Sequence, residues 1–207
     1  MAKETNKIRT QKRYDRLAPV YDLFEAAMES WRFALWRARL TESIRGPRAL
    51  EAGVGTGKNI KFYPQGIDIT GIDFSPRMLQ RARNRAQKMG AKLDLVEMDV
   101  QQLRFPDHSF DTVFATFVFC SVPDPVQGLA ELRRVCKPDG RLLLLEHMRP
   151  ENPFLAGLFD FLAPVVVRIT GANINRKTLE NIRRAGWRIE TEEHLSGDIV
   201  RRIVARP

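Results

Sequence analysis

Residues 51–59 read EAGVGTGKN and place Gly53, Gly55 and Gly57 at alternate positions directly after a short apolar run. Glycine enters left-handed backbone conformations at little steric cost and leaves no Cβ between the main chain and a ligand. An apolar strand that ends in such a turn therefore brings backbone against a bound group. This restricts the chain to folds that take ligands beyond the carboxyl ends of their strands. From residue 45 onward an apolar strand, a turn and a helix alternate. Strands are predicted over 48–52, 67–73, 93–98, 112–117, 141–146, 187–194 and 198–205, and helices over 76–89, 125–136 and 176–185. The expected fold class is α/β: seven strands, mostly parallel, with helices on both faces. The last two strands are separated by hairpin spacing, so one edge strand is expected to run antiparallel. Residues 46–207 would form this domain, and residues 1–45 a helical extension before it.

The glycine loop is compatible with three kinds of ligand until its neighbours are read. A phosphate loop of the GxxxxGK[ST] type requires a hydroxyl after the lysine to hold magnesium. Here Asn59 follows Lys58, and Ala52 stands where the first glycine belongs. The dinucleotide pattern GxGxxG fails at its third glycine, which is Lys58. Lys58 is read as surface charge. Glu51, at the strand end, would repel a pyrophosphate, whereas the ammonium and cationic sulfur of S-adenosylmethionine favour a nearby carboxylate. In GIDFS, Asp73 closes the second strand, where a carboxylate can accept ribose hydroxyls. In VEMDV, Asp99 follows the third strand and can receive the adenine amine.

On these residues the chain resembles a class I S-adenosylmethionine-dependent methyltransferase, with a Rossmann-like sheet. ALEAGVGTGKN is similar to that family's first motif and GIDFSPRML to its second-strand signature. MDVQQLRFPDHSFDTV and ELRRVCKPDGRLLLLE resemble two later blocks, with Cys136 and Asp139 replacing commoner residues. The resemblance implies S-adenosylmethionine as cofactor and adds Asn59, Phe74, Met78, Val100 and Thr116 to the residues that bind it. YDRLAPVYD, from Tyr14 to Asp22, resembles the ubiquinone/menaquinone-methyltransferase branch, which also holds bacterial phosphatidylethanolamine N-methyltransferases and thiol methyltransferases. The Tyr-x-Tyr-Leu-x-x-Ser-Ile block usual in quinone enzymes is replaced by GANINRKTLENIRRAGW at 171–187. N-methylation of phosphatidylethanolamine, in one or more rounds, is thus the leading implied activity. Methylation of a prenylated quinone precursor or a small thiol is the alternative, and a non-catalytic, membrane-associated cofactor binder is the rival from another class.

An amine acceptor must lose a proton before it can attack. Tyr14, Tyr21 and His147 are the candidates to remove that proton or orient the amine, since a histidine ordinarily titrates near neutral pH. Cys120 is expected to line the acceptor wall, and Arg176 to meet a phosphate, which arginine can hold with two hydrogen bonds. Thirty-four basic against 25 acidic residues give a net charge of +9, which favours an anionic membrane surface as partner. No nucleic acid is expected, because no aromatic-studded RNA module is present and TFVF occupies 116–119, where a base methyltransferase carries its Pro-Pro-Tyr motif. Residues 77, 81, 85 and 88 are Arg, Arg, Arg and Lys and form a positive stripe at helical spacing.

A helix predicted over 23–44 carries two apolar faces, Phe24, Met28, Trp31, Leu35 and Ala38 on one and Phe33, Leu40 and Ile44 on the other. One face could meet lipid. The apolar tract 154–167 is interrupted by Asp160 and Pro164 and is shorter than the roughly 20 residues that span a bilayer. It is expected to lie on a membrane or cover an apolar pocket. With two cysteines, no metal-binding spacing and a polar start, the expected place is the cytoplasm, peripheral to the inner face of a membrane.

Overall fold

Alternating side chains on the central strands divide between two apolar layers, and this alternation sets the architecture. The computed structural model describes residues 31–170, 173, 175–197 and 199–207. Its strands are β1 (Arg48–Ala52), β2 (Asp68–Asp73), β3 (Asp94–Glu97), β4 (Phe110–Thr116), β5 (Cys136–His147), β6 (Arg188–Ser196) and β7 (Val200–Arg206). They form one sheet in the order β3-β2-β1-β4-β5-β7-β6. On one face Leu50, Val113, Ala115, Leu142 and Leu144 pack with Leu129, Leu132 and Ile182. On the other, Ala49, Phe114, Leu143 and Leu145 pack with Leu40 and Ile44. A sheet apolar on both faces must be covered on both, as parallel sheets are.

The first five strands are mutually parallel where they pair, whereas β7 runs antiparallel to both β5 and β6. The reversed strand therefore sits one place in from the edge. Composition explains the order. Val200, Arg201, Ile203 and Ala205 of β7 are buried, while β6, RIETEEHLS, has no buried residue. A charged strand tolerates the edge and discourages pairing with another chain.

Four of the helices lie close to their predicted places. The helix α1 (Trp31–Thr41) lies within the predicted 23–44 stretch, whose first part, with Phe24 and Met28, falls outside the described residues. Of the two apolar faces read from the sequence, the one with Leu40 and, just beyond the helix, Ile44 packs against the sheet, while Leu35 of the other is 50% exposed. The helix α2 (Pro76–Met89) begins with Pro76, is capped by Ser75, whose Oγ accepts from Met78 N, and ends at a left-handed Gly90. Met78, Leu79, Ala82 and Ala86 face inward, and Arg77 and Lys88 are exposed. Arg85 is half-buried and donates to Thr56 Oγ1 at 3.4 Å, so part of the basic stripe packs on the glycine loop. The helices α3 (Pro125–Val135) and, further on, Thr178–Arg184 cover the first face.

The tract 154–167 lies within a helix, α4 (Pro153–Thr170); Thr178–Arg184 is then α5. Ala156 and Ala163 of α4 are buried, whereas Phe154 and Phe161, two turns apart, are 81% and 79% exposed. Among the described residues no helix is long and apolar enough to cross a membrane.

Candidate active site

The carboxyl ends of β1 to β4 surround a cleft that opens to solvent. Its glycine floor has divided duties. Gly57, at φ +80°, is needed by the protein itself: an added Cβ would lie 2.5 Å from Ile60 Cδ1 and 3.2 Å from Ala82 Cα. At Gly55, φ +55°, a Cβ would meet no other atom closer than 4.0 Å, because the position faces the open cleft. The missing side chain there is room for a ligand.

Asp73 fixes that loop. Its Oδ2 accepts from Gly55 N and its Oδ1 from Ser75 N, both at 2.9 Å, so one carboxylate ties the turn after β1 to the start of α2. Phe74, Met78, Asp99, Val100 and Thr116, the residues assigned to the cofactor from the sequence, line the cleft with it. Asp99 Oδ1 accepts from Gln101 N at 2.9 Å. Lys58, read from sequence as surface charge, also lines the cleft. A short 3-10 turn (Ile60–Phe62) follows it where a regular helix was expected.

Glu51 lies behind this wall. It is 1% exposed, and its carboxylate receives the Tyr63 hydroxyl and, at 2.6 Å, Asn59 Nδ2. Asn59 Nδ2 also approaches Thr116 Oγ1 at 3.0 Å. Arg37, from α1, donates to Thr116 Oγ1 at 2.7 Å and to Asn59 Oδ1 at 3.1 Å. Glu51 thus reaches the cleft through Asn59 and Thr116. Burial pushes its carboxyl up to about 7, against the opposing hydrogen bonds of Tyr63 and Asn59. Burial and the Glu51 charge hold the Tyr63 phenol protonated.

Beyond Thr116 the chain makes a constrained bend. Phe117 has φ +58°, which costs a bulky residue roughly 1–2 kcal/mol. Its N–H donates to Leu145 O at 2.8 Å, and its ring lies 4.5 Å from His147 and 5.4 Å from Phe33. The Arg37 guanidinium stands 5.3 Å from the Phe117 ring centre. The next two amides, Val118 N and Phe119 N, donate to Glu146 Oε1 at 2.8 and 3.0 Å. Burial pushes the Glu146 carboxyl up to about 7.

The acceptor-side candidates fare differently. Tyr14 and Tyr21 lie outside the described residues. His147 is at the functional end of the sheet, but burial and then the Arg37 charge push it down to about 4. The expectation of titration near neutral pH is therefore corrected: in this aromatic pocket the imidazole stays neutral. Cys120 is buried, its Sγ 3.7 Å from Phe117 O and 3.6 Å from Ser121 Oγ, and burial pushes the thiol up to about 12. Ser121 and Val122 reach the cleft beside it. Arg176 Nη2 donates to Val122 O at 2.8 Å and braces the same loop.

Sequence reasoning missed Arg37, Tyr63, Phe117 and Glu146. For Arg37 a signal existed: it lies four residues after Phe33 and three before Leu40, which puts a cation on the buried face of α1. Glu146 carried a signal too, as the acid closing the run LLLL.

A family model described as a methyltransferase domain matches residues 50–144. The chain is 34% identical over 173 residues to a demethylmenaquinone methyltransferase of Deinococcus radiodurans, covering 80% of this chain and 71% of that protein. It belongs to the S-adenosylmethionine-dependent methyltransferases. Another methyltransferase, a phosphatidylethanolamine N-methyltransferase of Cereibacter sphaeroides, is 41% identical over 123 residues, 58% of this chain and 61% of that protein. The crystal structure of a methyltransferase from Thermotoga maritima, described as a possible histamine N-methyltransferase, superposes with a TM-score of 0.69 at 21% identity, covering 95% of this chain and all of that one. At that identity the likeness concerns the fold. The cofactor of this family is S-adenosylmethionine, and the residues present fit it: an open glycine floor, carboxylates after β2 and β3 for an adenosine, and polar groups after β4.

Proposed function

We propose that this methyltransferase acts on the amine of an aminophospholipid headgroup, of the phosphatidylethanolamine class, at a membrane surface. The observation that carries the reading is α4. It follows β5, whose carboxyl end lies beside the cleft because β5 is parallel to β4. There it turns Phe154 and Phe161 outward. Exposed phenylalanines two turns apart on a helix suit the boundary between headgroups and acyl chains. The net charge of +9 adds attraction to anionic lipid. The relative named as a phosphatidylethanolamine N-methyltransferase supports the acceptor class.

The bound cofactor supplies an electrophilic methyl group for in-line displacement. The protein's share is position. Asp73 and Gly55 hold the floor, Thr116 and Phe117 form the wall beneath α1, and Glu146 fixes the amides that continue it. Alignment of this kind supplies as much as roughly 7–11 kcal/mol. Burial pushes the Cys120 thiol up, away from the reactive thiolate, and direct transfer to the acceptor needs no covalent stage. Tyr14 and Tyr21 are proposed to orient the amine, and the neutral His147 to buttress the Phe117 wall.

Quinone-precursor methylation is the second reading, favoured by the 80% of this chain that aligns with the demethylmenaquinone methyltransferase. Purified protein, labelled cofactor and vesicles of phosphatidylethanolamine with anionic lipid decide between them. Label is expected in the phospholipid fraction. Label confined to an added demethylquinone, or to a small thiol, would replace this reading. Attachment to the vesicles is expected to weaken as salt rises, and equal binding to neutral vesicles at all salt concentrations would remove the electrostatic part.

A further inference from the structure

Past α4, the chain carries a cation that the protein leaves without a carboxylate. Arg176 is half-buried, and its Nη2 donates to Val122 O at 2.8 Å. Its Nε is buried with no hydrogen-bond partner, and no acid lies within ion-pair distance of it among the described residues. The neighbouring cations are compensated. Arg149 makes two hydrogen bonds to Asp160, at 2.8 and 3.2 Å, and Lys177 stands 3.8 Å from Glu180. Burial pushes the Arg176 guanidinium down, with Cys120 and Asp124 opposing, and Asp124 also caps α3 through Gln127 N. Native proteins seldom leave a buried donor unpaired, and an uncompensated charge beside one is costly.

Position gives the cation a purpose. Val122, whose carbonyl Arg176 holds, lines the cleft together with Ser121 and Pro123. On the other side, the Arg176 carbonyl accepts from Arg149 N at 3.0 Å, and Arg149 is bonded to Asp160 of α4. Arg176 thus links the cleft to the helix that turns Phe154 and Phe161 outward. Apolar helix, cation and cleft follow one another in the order of acyl chain, phosphate and amine in an aminophospholipid. We propose that Arg176 binds the headgroup phosphate of the acceptor and thereby sets how far the amine enters the cleft. A guanidinium matches phosphate oxygens with two parallel hydrogen bonds, whereas an ammonium offers a point charge. The assignment rests on the aminophospholipid reading, since a quinone precursor or a small thiol has no matching group.

The test uses the full chain, labelled S-adenosylmethionine and two acceptors. One is dispersed short-chain phosphatidylethanolamine, the other an amine lipid of equal chain length with an ether in place of the phosphodiester. In Arg176→Met, kcat/KM for the phospholipid is expected to fall on the order of 10- to 100-fold, at least about 5-fold more than for the ether amine. The loss should appear in KM rather than kcat, as for a contact that ground state and transition state share. Arg176→Lys should recover part of it. Equal losses for both acceptors would reduce Arg176 to a brace for Val122 and overturn this assignment alone. Label on neither acceptor, in the wild type, would take down the aminophospholipid reading and this assignment together. Should Arg176→Met fail to fold, competition in the wild-type chain decides. Glycerophosphoethanolamine should inhibit methylation of the phospholipid more strongly than ethanolamine does, and equal inhibition would refute the assignment. Inorganic phosphate inhibiting as strongly as glycerophosphoethanolamine would mark a site for free phosphate and overturn the headgroup contact.

Discussion

Glu146→Gln should make the stability of this protein less sensitive to pH, by an amount that follows from one carboxylate. Glu146 is 0% exposed, Oε1 accepts from Val118 N and Phe119 N, and the buried Oε2 has no hydrogen-bond partner among the described residues. Burial raises the carboxyl from 4.5 to about 7. Below pH 4.5 the group is protonated in both folded and unfolded chains and has no effect. Between 4.5 and 7 the unfolded chain releases its proton while the folded chain keeps it, so stability falls as pH rises. Above 7 the loss is complete. At about 1.4 kcal/mol per pH unit the whole interval is worth roughly 3 kcal/mol, of which roughly 2 kcal/mol is lost between pH 5 and pH 8. Glutamine keeps the acceptor for both amides but places an NH2 where Oε2 stood, at a pH-independent cost of about 1–3 kcal/mol. The variant should therefore be less stable than wild type at pH 5 and draw level or better at pH 8. Urea titrations at the two pH values measure this, and the difference between variant and wild type removes the similar contribution of Glu51. Parallel pH profiles for the two proteins would refute the reasoning.

Gly55→Ala adds a methyl group to the open cleft at positive φ. Melting should record a loss of roughly 1–2 kcal/mol, and calorimetry a disproportionate loss of cofactor affinity. Gly57→Ala should do the opposite, with its main damage to folding, because its Cβ would strike Ile60 and Ala82. Asp73→Ala leaves Gly55 N and Ser75 N without their acceptor. S-adenosylmethionine should then bind at least about 10-fold more weakly, with roughly 1–3 kcal/mol lost in urea denaturation; unchanged affinity would remove Asp73 from the site. With His147 pushed down to about 4, His147→Phe should leave the shape of the rate profile between pH 6 and 8 unaltered. Disappearance of a titration step in that range would show the imidazole to be chemically active.

The sequence carried the sheet and the floor of the site because both are written in local patterns. Period-two apolar runs, a Ser-Pro helix start and alternate glycines need no distant partner to be recognised, and α2 begins and ends at the predicted residues. Asp73, Phe74, Met78, Asp99, Val100 and Thr116 share the cleft because each closes or follows a strand whose carboxyl end points the same way. Long-range contacts were beyond that reading. That β7 inserts between β5 and β6 depends on which of two hairpin strands buries more apolar surface against β5. That Lys58 borders the cleft depends on how the loop after β1 packs, and the fall of His147 to about 4 depends on burial beside Phe33 and Phe117 and on the charge of Arg37.

The amino-acid order thus determined the layered α/β fold, the ligand end of the sheet and the cofactor class, since these follow from strand periodicity and residues near each strand end. Only the tertiary structure decided what stands behind the floor. Arg37 meets Thr116 across 79 residues, and Tyr63 and Asn59 converge on Glu51. Charge and protonation inside a protein depend on which groups exclude water together, and no local spacing encodes that.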